Sequence, residues 1–478
     1  MSADPVMSHA EYAAHDATAL ATLVRAGEVR PAELAAQALA AIERLNPQLN
    51  AVIESYPTRD YDAPADGPFA GVPFLIKDLV CHEAGQRYEL GSRLARGMTV
   101  PHDTDLAARF RAAGLATVGR SATPELGYCA TTESLLHGPT VNPYAPGRSP
   151  GGSSGGSGAA VAAGIVPMAH ANDGGGSIRI PAACNGLVGL KPTRGLIPAG
   201  PDFANPLNGF AIEFAVTRSV RDCAGLLDAV AGPAPGSYTR PPMPTGTYAD
   251  ALARPPERLR IGWTTSPWAD IPVAPAVREG IEATAATLAE LGHEVVELRP
   301  ELDWVPYCRA TLDVWSSFVA AVADQLAAAT GRAVGPDTLE PCILATYEYG
   351  RRVTGADLVA ADPVVADVTR RVDGCLAECD LLLTPTLPHA APAHGVLASS
   401  RDDLDHQGYF EVTFEFAHFT GVFNMTGHPA LSLPLFTDTD GMPLGAQFVA
   451  PHGGEATLLG LAAVLEQARP WAQRYPDA

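Results

Sequence analysis

Basic side chains are scarce in this chain of 478 residues: 32 lysines and arginines stand against 53 aspartates and glutamates, which gives a formal net charge of −21. A surface of that sign repels phosphate backbones and anionic lipid, so nucleic acid is not expected as a partner. The acidic residues are spread along the chain without a block of like charges, and this pattern favours solubility over an acidic binding tail.

Long apolar runs are also missing. The longest one, residues 159–169, is too short to cross a bilayer. The N-terminus has neither the basic segment nor the apolar segment that is typical of a signal peptide. The sequence therefore predicts a cytoplasmic protein that does not bind membranes.

Paired cysteines and metal-binding motifs are absent as well. The eight cysteines form no CxxC pair, and the close pair Cys375 and Cys379 is spaced as one face of a helix. The thirteen histidines show no HExxH or similar zinc spacing. We therefore expect small buried cysteines in a reducing compartment, and no metal site.

The residues that are present have an ordinary globular composition, 47% apolar and 18% charged. Asp16 and Pro31 are placed to begin two helices, and residues 71–80 form a compact apolar strand that carries Lys77. Segments of strand and helix alternate further on, and residues 301–375 are mainly helical. This alternation predicts an α/β fold with helices packed on a largely buried sheet. Without an internal repeat or a convincing linker, a single domain is expected.

A run of glycine and serine, SPGGSSGGSG at residues 149–158, has several possible interpretations. A flexible linker would not lead directly into the alanine-rich segment that follows, which suits a buried helix. No Gly-Lys-Ser/Thr follows, and this excludes a phosphate-binding P-loop. Residues 151–155 also fit GxSxG, the α/β-hydrolase pattern in which Ser153 is the nucleophile, with Asp380 and His394 as candidate partners.

A second run, NDGGGSIRIPAACNGLVGLKPTRG at residues 172–195, places three glycines directly before Ser177. Without side chains in the way, successive backbone N–H groups can converge there and hold an oxyanion beside an attacking hydroxyl. Taken alone, the same run is also typical of a glycine turn that opens a strand over SIRIPAAC.

Together these segments resemble the amidase signature family. The shared motifs are GVPFLIKDL, PELG, GGSSGGS, DGGGSIRIPA with GLKPTRG, and the late segments FNMTGHPALSLPL and GMPLGAQFVA. The resemblance runs from about residue 15 to the C-terminus and is weakest over residues 235–375. It implies one amidase domain over residues 1–478 with a central mixed, twisted β-sheet covered by helices on both faces. The signature core is expected at about residues 65–220, and a variable helical pocket region at about residues 300–375.

The resemblance also implies a Ser–cis-Ser–Lys triad that hydrolyses amides or carbamates without a cofactor or metal. Ser177 would be the nucleophile, Ser153 the bridging serine after a cis peptide bond from Gly152, and Lys77 the base. The oxyanion would be held by backbone N–H groups of Gly174, Gly175, Gly176 and Ser177.

Lys77 can act as a base only if its amine is uncharged near neutral pH, because the ordinary pKa of lysine is about 10.4. Burial penalises the ammonium form, and the apolar strand around Lys77 is suited to lower its pKa. The neighbouring Asp78 would raise that pKa, but adjacent side chains of a strand face opposite sides. We therefore expect Asp78 to point away from the site.

Other residues of these motifs are expected to support the site. Asp173 and Arg179 are predicted to form a buried pair behind the glycine turn, and Ser154 to hydrogen-bond within the site. Substrate contacts are expected from mostly apolar or aromatic side chains, namely Tyr128, Cys129, Phe203 and Trp315.

The expected substrates are neutral, fairly hydrophobic amides or carbamates, because no basic residue is placed to bind a substrate carboxylate. Within the family, AHANDGGGSIRIPA and TPELG are most similar to the branch of cyclic nylon-oligomer hydrolases and urethanases. A monomer or homodimer is expected. Two alternatives remain: a glutaminase-like subunit of a tRNA-dependent amidotransferase, and an esterase that uses Ser153.

Overall fold

The computed structural model describes residues 6–62 and 66–471. The strands in chain order are β1 (Val52–Ser55), β2 (Pro73–Lys77), β3 (Ala116–Ser121), β4 (Glu133–Ser134), β5 (Gly138–Pro139), β6 (Met168–Asp173), β7 (Val188–Lys191), β8 (Ile212–Thr217), β9 (Arg260–Trp263), β10 (Glu294–Glu297), β11 (Leu381–Pro385), β12 (Ala430–Thr437) and β13 (Pro443–Val449). The α-helices are α1 (His9–Ala14), α2 (Ala17–Arg25), α3 (Pro31–Leu49), α4 (Asp105–Ala112), α5 (Gly155–Ala162), α6 (Arg179–Cys184), α7 (Val220–Val230), α8 (Tyr248–Ala253), α9 (Pro275–Glu290), α10 (Trp304–Thr330), α11 (Pro341–Gly350), α12 (Gly355–Ala377), α13 (His406–Phe416), α14 (Gly421–Thr426) and α15 (Glu455–Ala468).

Eleven of the strands form one sheet in the order β1-β3-β2-β6-β8-β7-β12-β13-β11-β9-β10, and β4 pairs with β5 separately. Strand β2 runs parallel to β3 and β6, and β9 runs parallel to β10 and β11. The remaining neighbours are antiparallel. Helices such as α5, α6 and α9 pack against these strands. The prediction of an α/β domain built on a central mixed sheet is confirmed.

Helix starts are well predicted where a capping residue is present. The Asp16 side chain accepts the N–H of Ala19 at the start of α2, and Pro31 is the first residue of α3. The segment after Ser177 differs from the strand that its composition also allows. It is the short helix α6, in which Pro181 lies in the first turn, where its missing N–H has no partner to lose.

Residues 301–375 are mainly helical, as predicted. They form the long helices α10 and α12 with α11 between them, and both long helices pack together. Their apolar residues join a hydrophobic cluster separate from the one that surrounds most of the sheet. This second cluster includes Tyr128 and Trp315, so the helical region covers the end of the sheet that carries the serine and glycine motifs. No helix within residues 6–62 and 66–471 combines the length and apolarity needed to span a bilayer.

Candidate active site

Lys77 is the last residue of β2, a strand in which every residue is buried. Its Nζ lies 2.7 Å from Ser153 Oγ, 3.0 Å from Ser154 Oγ and 2.6 Å from Asn172 Oδ1. Three acceptor atoms from the start of α5 and the end of β6 therefore surround a single amine. The structure brings Lys77 and Ser153 into direct contact, although they are 76 residues apart in the chain.

The other hydrogen bonds of Asn172 and Ser154 show which of their atoms accept from Lys77. Asn172 Nδ2 donates to the carbonyl of Leu79 at 3.0 Å, so its Oδ1 is the atom that faces Lys77. Ser154 Oγ donates to the carbonyl of Asn172 at 3.2 Å and can only accept from the amine. An uncharged amine has two N–H bonds and one lone pair. With both N–H groups donated to Asn172 and Ser154, the lone pair of Lys77 faces the hydroxyl of Ser153.

The electrostatic setting of Lys77 favours that uncharged form. Burial lowers its pKa from the ordinary value to about 7, against the opposing influence of the Glu213 and Asp173 carboxylates. Asp78 is directed elsewhere, since its carboxylate pairs with Arg120 and accepts the N–H of Glu89. The prediction that Asp78 points away from the site is confirmed.

The glycine and serine run is part of the packed core and not a linker. Its peptide bond between Gly152 and Ser153 is cis. A Cβ at Gly152 would lie 2.4 Å from the carbonyl oxygen of Thr131, so only glycine allows this close approach. The helix α5 begins two residues after Ser153 and is buried along its whole length. Ser153 is thus held at the junction of a tight backbone segment and a buried helix.

The second glycine run forms the loop between β6 and α6. Gly176 has a φ of +137°, a region that favours glycine, and a Cβ there would lie 2.3 Å from Thr420 Oγ1. Its N–H donates to Asp173 Oδ1 at 2.7 Å. The expectation that Gly176 supplies an oxyanion donor therefore needs correction, because this N–H already has a partner. The N–H groups of Gly174, Gly175 and Ser177 form no hydrogen bond with the residues that the structure describes.

Asp173 and Arg179 form the predicted ion pair, with Arg179 Nη2 at 2.8 Å from Asp173 Oδ1, and neither side chain is exposed. Burial alone would raise the pKa of Asp173, but the guanidinium of Arg179 has the opposite effect, and the pKa is lowered to about 2. Arg179 also donates to Gln447 and Asn424, which lie in β13 and α14. The pair thus ties the glycine loop to the far end of the chain.

Ser177 borders a cavity whose lining side chains carry no charge. Three of the four predicted substrate contacts lie there, namely Tyr128, Cys129 and Trp315. The rings of Tyr128 and Trp315 are stacked, with centroids 4.8 Å apart. The other lining residues are Gly127, Ala130, Gly175, Ile180, Thr413, Phe414 and Ala417.

Phe203 does not line this cavity, which corrects the fourth expectation. It packs on Phe318 with ring centroids 6.0 Å apart and lines a separate cavity together with Arg194 and Glu213. The loop that contains Phe203 reaches the glycine turn through Leu207 instead. A Cβ at Gly174 would meet the side chain of Leu207 at 2.8 Å.

Ser153 lies beside Gly127, a residue of the cavity that Ser177 borders. Gly127 lines the cavity of Ser177, and a Cβ at Gly127 would lie 3.4 Å from Ser153 Oγ. In the GxSxG hypothesis, Asp380 and His394 would be the partners of Ser153, but both make their hydrogen bonds elsewhere. Asp380 accepts the backbone N–H of Arg260, and His394 Nε2 contacts the carbonyl of Thr140. The side chain that meets Ser153 is therefore Lys77, and not a histidine.

Several residues of the site were not predicted from the sequence. Asn172 stands inside the quoted motif, but nothing local marks it as the partner of a lysine 95 residues away. Thr420 and Asn424 bind the glycine loop from α14 and the segment before it. Thr413 and Phe414 come from α13, a helix that was not predicted.

The possible metal ligands do not include the three residues of the proposed triad. Among residues 6–62 and 66–471, the groups with a suitable arrangement contain neither Lys77, Ser153 nor Ser177. The groups are His82 with His102 and Asp202, Asp373 with His428 and His452, and Asp78 with Glu89 and His137.

Comparison with known proteins agrees with the motifs over almost the whole chain. The family model named Amidase matches residues 29–459. The 6-aminohexanoate-cyclic-dimer hydrolase of Pseudomonas sp. (strain NK87) is 39% identical over 477 residues, covering 97% of this chain and 96% of the relative. The putative amidase AmiC of Mycobacterium tuberculosis (strain ATCC 25618 / H37Rv) is 37% identical over 96% of this chain and 95% of its own.

Solved structures lead to the same assignment. A 6-aminohexanoate cyclic dimer hydrolase complexed with substrate superposes with a TM-score of 0.93 at 37% identity, covering 97% of this chain and 99% of that one. A bacterial aryl acylamidase of the amidase signature family gives a TM-score of 0.85 at 25% identity, with coverage of 96% and 97%. The glutamyl-tRNA(Gln) amidotransferase subunit from Thermotoga maritima shares the fold, with 24% identity and a TM-score of 0.74. The chain is therefore an amide C–N hydrolase that belongs to the amidase signature family.

Proposed function

We propose that this amidase works through an acyl-enzyme on Ser177, with Ser153 as the proton relay and Lys77 as the base. The observation that carries the proposal is the set of contacts around Lys77 Nζ. Nζ lies 2.6 Å from Asn172 Oδ1, 3.0 Å from Ser154 Oγ and 2.7 Å from Ser153 Oγ. When the amine is uncharged, the first two take its N–H groups and its lone pair is left for the Ser153 hydroxyl. A pKa of about 7 leaves a large share of this amine uncharged at neutral pH.

In the first half of the proposed cycle, Lys77 takes the proton of Ser153 as Ser153 takes the proton of Ser177. Ser177 Oγ bonds to the substrate carbonyl carbon, and the carbonyl oxygen becomes an oxyanion. The N–H groups of Gly174, Gly175 and Ser177 are the proposed donors to that oxyanion. The C–N bond then breaks, and the proton returns through Ser153 to the leaving nitrogen. Water attacks the acyl-enzyme along the same path and frees Ser177.

The pH dependence of this cycle follows from the amine of Lys77. We expect kcat/KM for an anilide to rise with pH through about pH 7, because deprotonation of Lys77 creates the base. Asn172→Asp would place a carboxylate 2.6 Å from Nζ in place of the amide oxygen. That charge favours the ammonium form and raises the pKa of Lys77, so the rise in kcat/KM should move to higher pH by about one pH unit or more. Activity at pH 7 should then fall by about five-fold or more and recover at high pH. An unchanged midpoint would contradict the assignment of the base.

The uncharged cavity beside Ser177 supports neutral amides or carbamates as substrates. A charged group enclosed there would lose its hydration without gaining an ionic partner from the lining. Names of similar proteins point to cyclic and aryl amides, since they include the 6-aminohexanoate-cyclic-dimer hydrolase and the aryl acylamidase. We propose that this chain cleaves cyclic or linear amides of the same neutral, fairly hydrophobic kind. The core at about residues 65–220 would carry the chemistry, and residues 300–375 would shape the pocket.

A substrate panel tests this proposal. It should contain anilides, linear and cyclic aliphatic amides, carbamates and esters, with one matched pair of anilides that differ only by a carboxylate on the acyl group. We expect kcat/KM of the neutral member to exceed that of the charged member by at least about ten-fold, given the cost of burying an unpaired charge. A preference for the charged member would contradict the proposed substrate class.

The same panel distinguishes a stand-alone hydrolase from a glutaminase-like subunit of an amidotransferase. A glutaminase-like subunit would depend on a second chain and would favour glutamine, whereas full turnover of non-glutamine amides by the isolated chain supports a stand-alone hydrolase. Size-exclusion chromatography of the active material would report whether it is the predicted monomer or homodimer. A cytoplasmic location remains a prediction from the sequence.

A further inference from the structure

A buried histidine lies behind the catalytic lysine. The backbone N–H of Lys77 donates to Nδ1 of His170 at 3.2 Å, and the His170 side chain is completely buried. Because Nδ1 accepts this hydrogen bond, it must offer its lone pair. The ring hydrogen therefore sits on Nε2.

That Nε2 hydrogen points to a buried carboxylate. His170 Nε2 lies 2.8 Å from Glu213 Oε2, and Glu213 is 1% exposed. The other oxygen, Oε1, has no hydrogen-bond partner among the described residues. Glu213 thus hydrogen-bonds to His170, and no arginine or lysine among the described residues forms an ion pair with it.

The sheet places this carboxylate on the same side as the amine of Lys77. Glu213 in β8 stands directly opposite Asn172 in β6, and directly opposed residues of antiparallel strands point to the same face. Asn172 Oδ1 is the acceptor closest to Lys77 Nζ. His170 lies two residues before Asn172 in β6 and shares that face. One face of two adjacent strands thus presents His170, Asn172 and Glu213 to the end of β2.

We propose that Glu213 and His170 form a positioning pair for Lys77, in which His170 holds the lysine backbone and the Glu213 carboxylate favours the ammonium form of the side chain. This inference rests on the proposed role of Lys77 as the base. The pair opposes the effect of burial, and so keeps the amine basic enough to take the proton of Ser153. Glu213 is the foremost of the charges that raise the pKa of Lys77.

Other ionisable groups near Lys77 have partners of their own. Asp173 in β6 is paired with Arg179, and Asp78 is paired with Arg120 from β3. From the segment just before α5, the contacting side chains are the neutral Ser153 and Ser154. Beyond the end of β2, the thiol of Cys81 and the phenol of Tyr88 are buried, and burial raises both of their pKa values, so they stay neutral. Of the three carboxylates Asp78, Asp173 and Glu213, only Glu213 forms no ion pair with an arginine or lysine of the described part of the chain.

The small number of lysines allows the protonation of Lys77 to be measured directly. The sequence contains two lysines, Lys77 and Lys191, and every other basic residue apart from histidine is arginine. Protein labelled with [ε-13C]lysine will therefore give two Cε signals, which a Lys191→Arg variant assigns. Titration of the Lys77 signal reports its protonation without reference to turnover.

The test compares wild type with Glu213→Gln, which removes the charge and keeps the shape. We expect the Lys77 Cε midpoint to fall by roughly one pH unit, the low end of what one nearby opposite charge does. The rise of kcat/KM with pH should move down by the same amount. Glu455→Gln is the matched control, because Glu455 is equally buried and its charge acts on Lys191, so the Lys77 midpoint should stay in place. Glu213→Asp, which keeps the charge, should restore most of the wild-type midpoint.

A Lys77 midpoint that does not move in folded Glu213→Gln would overturn the inference. If the midpoint falls but kcat/KM does not follow, the positioning pair stands and the role of Lys77 as base fails, so the two proposals are distinguished. A uniform loss of kcat at every pH with an unmoved Cε midpoint would assign Glu213 a purely structural role. Should the glutamine variant not fold, Glu213→Ser removes the same charge with a smaller side chain and must shift the midpoint in the same direction.

Discussion

Ser177→Ala is expected to abolish amide turnover, with a loss of about 10⁴-fold or more, because no covalent acyl-enzyme can form without the hydroxyl. Ser177 is the serine that follows the three glycines and borders the uncharged cavity. Steady-state kinetics with an anilide, together with binding of a substrate analogue, will separate lost chemistry from lost binding.

A trapped adduct gives this prediction a second readout. Mass spectrometry after treatment with a phosphonylating reagent should find the label on the peptide of Ser177 in wild type and in Ser153→Ala, although the latter reacts slowly. Ser149→Ala is the matched control, since Ser149 is also buried in the same segment, and its hydroxyl has one hydrogen bond among the described residues, from the backbone N–H of Gly151. It should keep near wild-type turnover. A label on Ser153 would instead favour the esterase-type hypothesis.

Lys77→Met is expected to lower kcat/KM by about 10³-fold, the usual contribution of a positioned base. Methionine fills a similar volume without an amine, so the buried site at the end of β2 should stay packed. The residual activity should also lose the rise through about pH 7 that the pKa of Lys77 gives to wild type.

The control for this variant is the other lysine. Lys191 is also fully buried, and burial lowers its pKa well below the ordinary value, but its Nζ donates to the carbonyl of Pro192, away from both serines. Lys191→Met should retain turnover and its dependence on pH. Thermal unfolding of both variants will show whether either loss reflects folding. Equal losses in the two variants would contradict a specific role for Lys77.

How much of the site could be read from the sequence depends on how local each feature is. Three glycines before Ser177 allow a tight turn whatever the rest of the chain does, and an apolar strand around Lys77 implies burial. Asp16 and Pro31 mark helix starts for the same reason. Asp16 accepts an N–H three residues ahead, and Pro31 lacks the N–H that has no partner in the first turn of a helix. Each of these features depends only on residues that are close together in the sequence.

Features that join distant segments could not be read in this way. Asn172 and His170 contact Lys77, and Glu213 contacts His170, because β2, β6 and β8 are adjacent in the sheet, an order that no local pattern specifies. Asp173 lies only three residues before Gly176, but the same carboxylate oxygen that accepts the Gly176 N–H also accepts from Asn424 in α14, a contact between segments 251 residues apart.

By itself, therefore, the sequence determined the family, the α/β class and the three residue types of the proposed triad, because these depend on short motifs with fixed backbone requirements. Only the tertiary structure decided which acceptors surround the amine of Lys77, which glycine N–H groups stay open, and that Phe203 lies outside the cavity of Ser177. The physical reason is that hydrogen bonding and burial of a polar group depend on every segment packed against it, and those segments lie far apart in the chain.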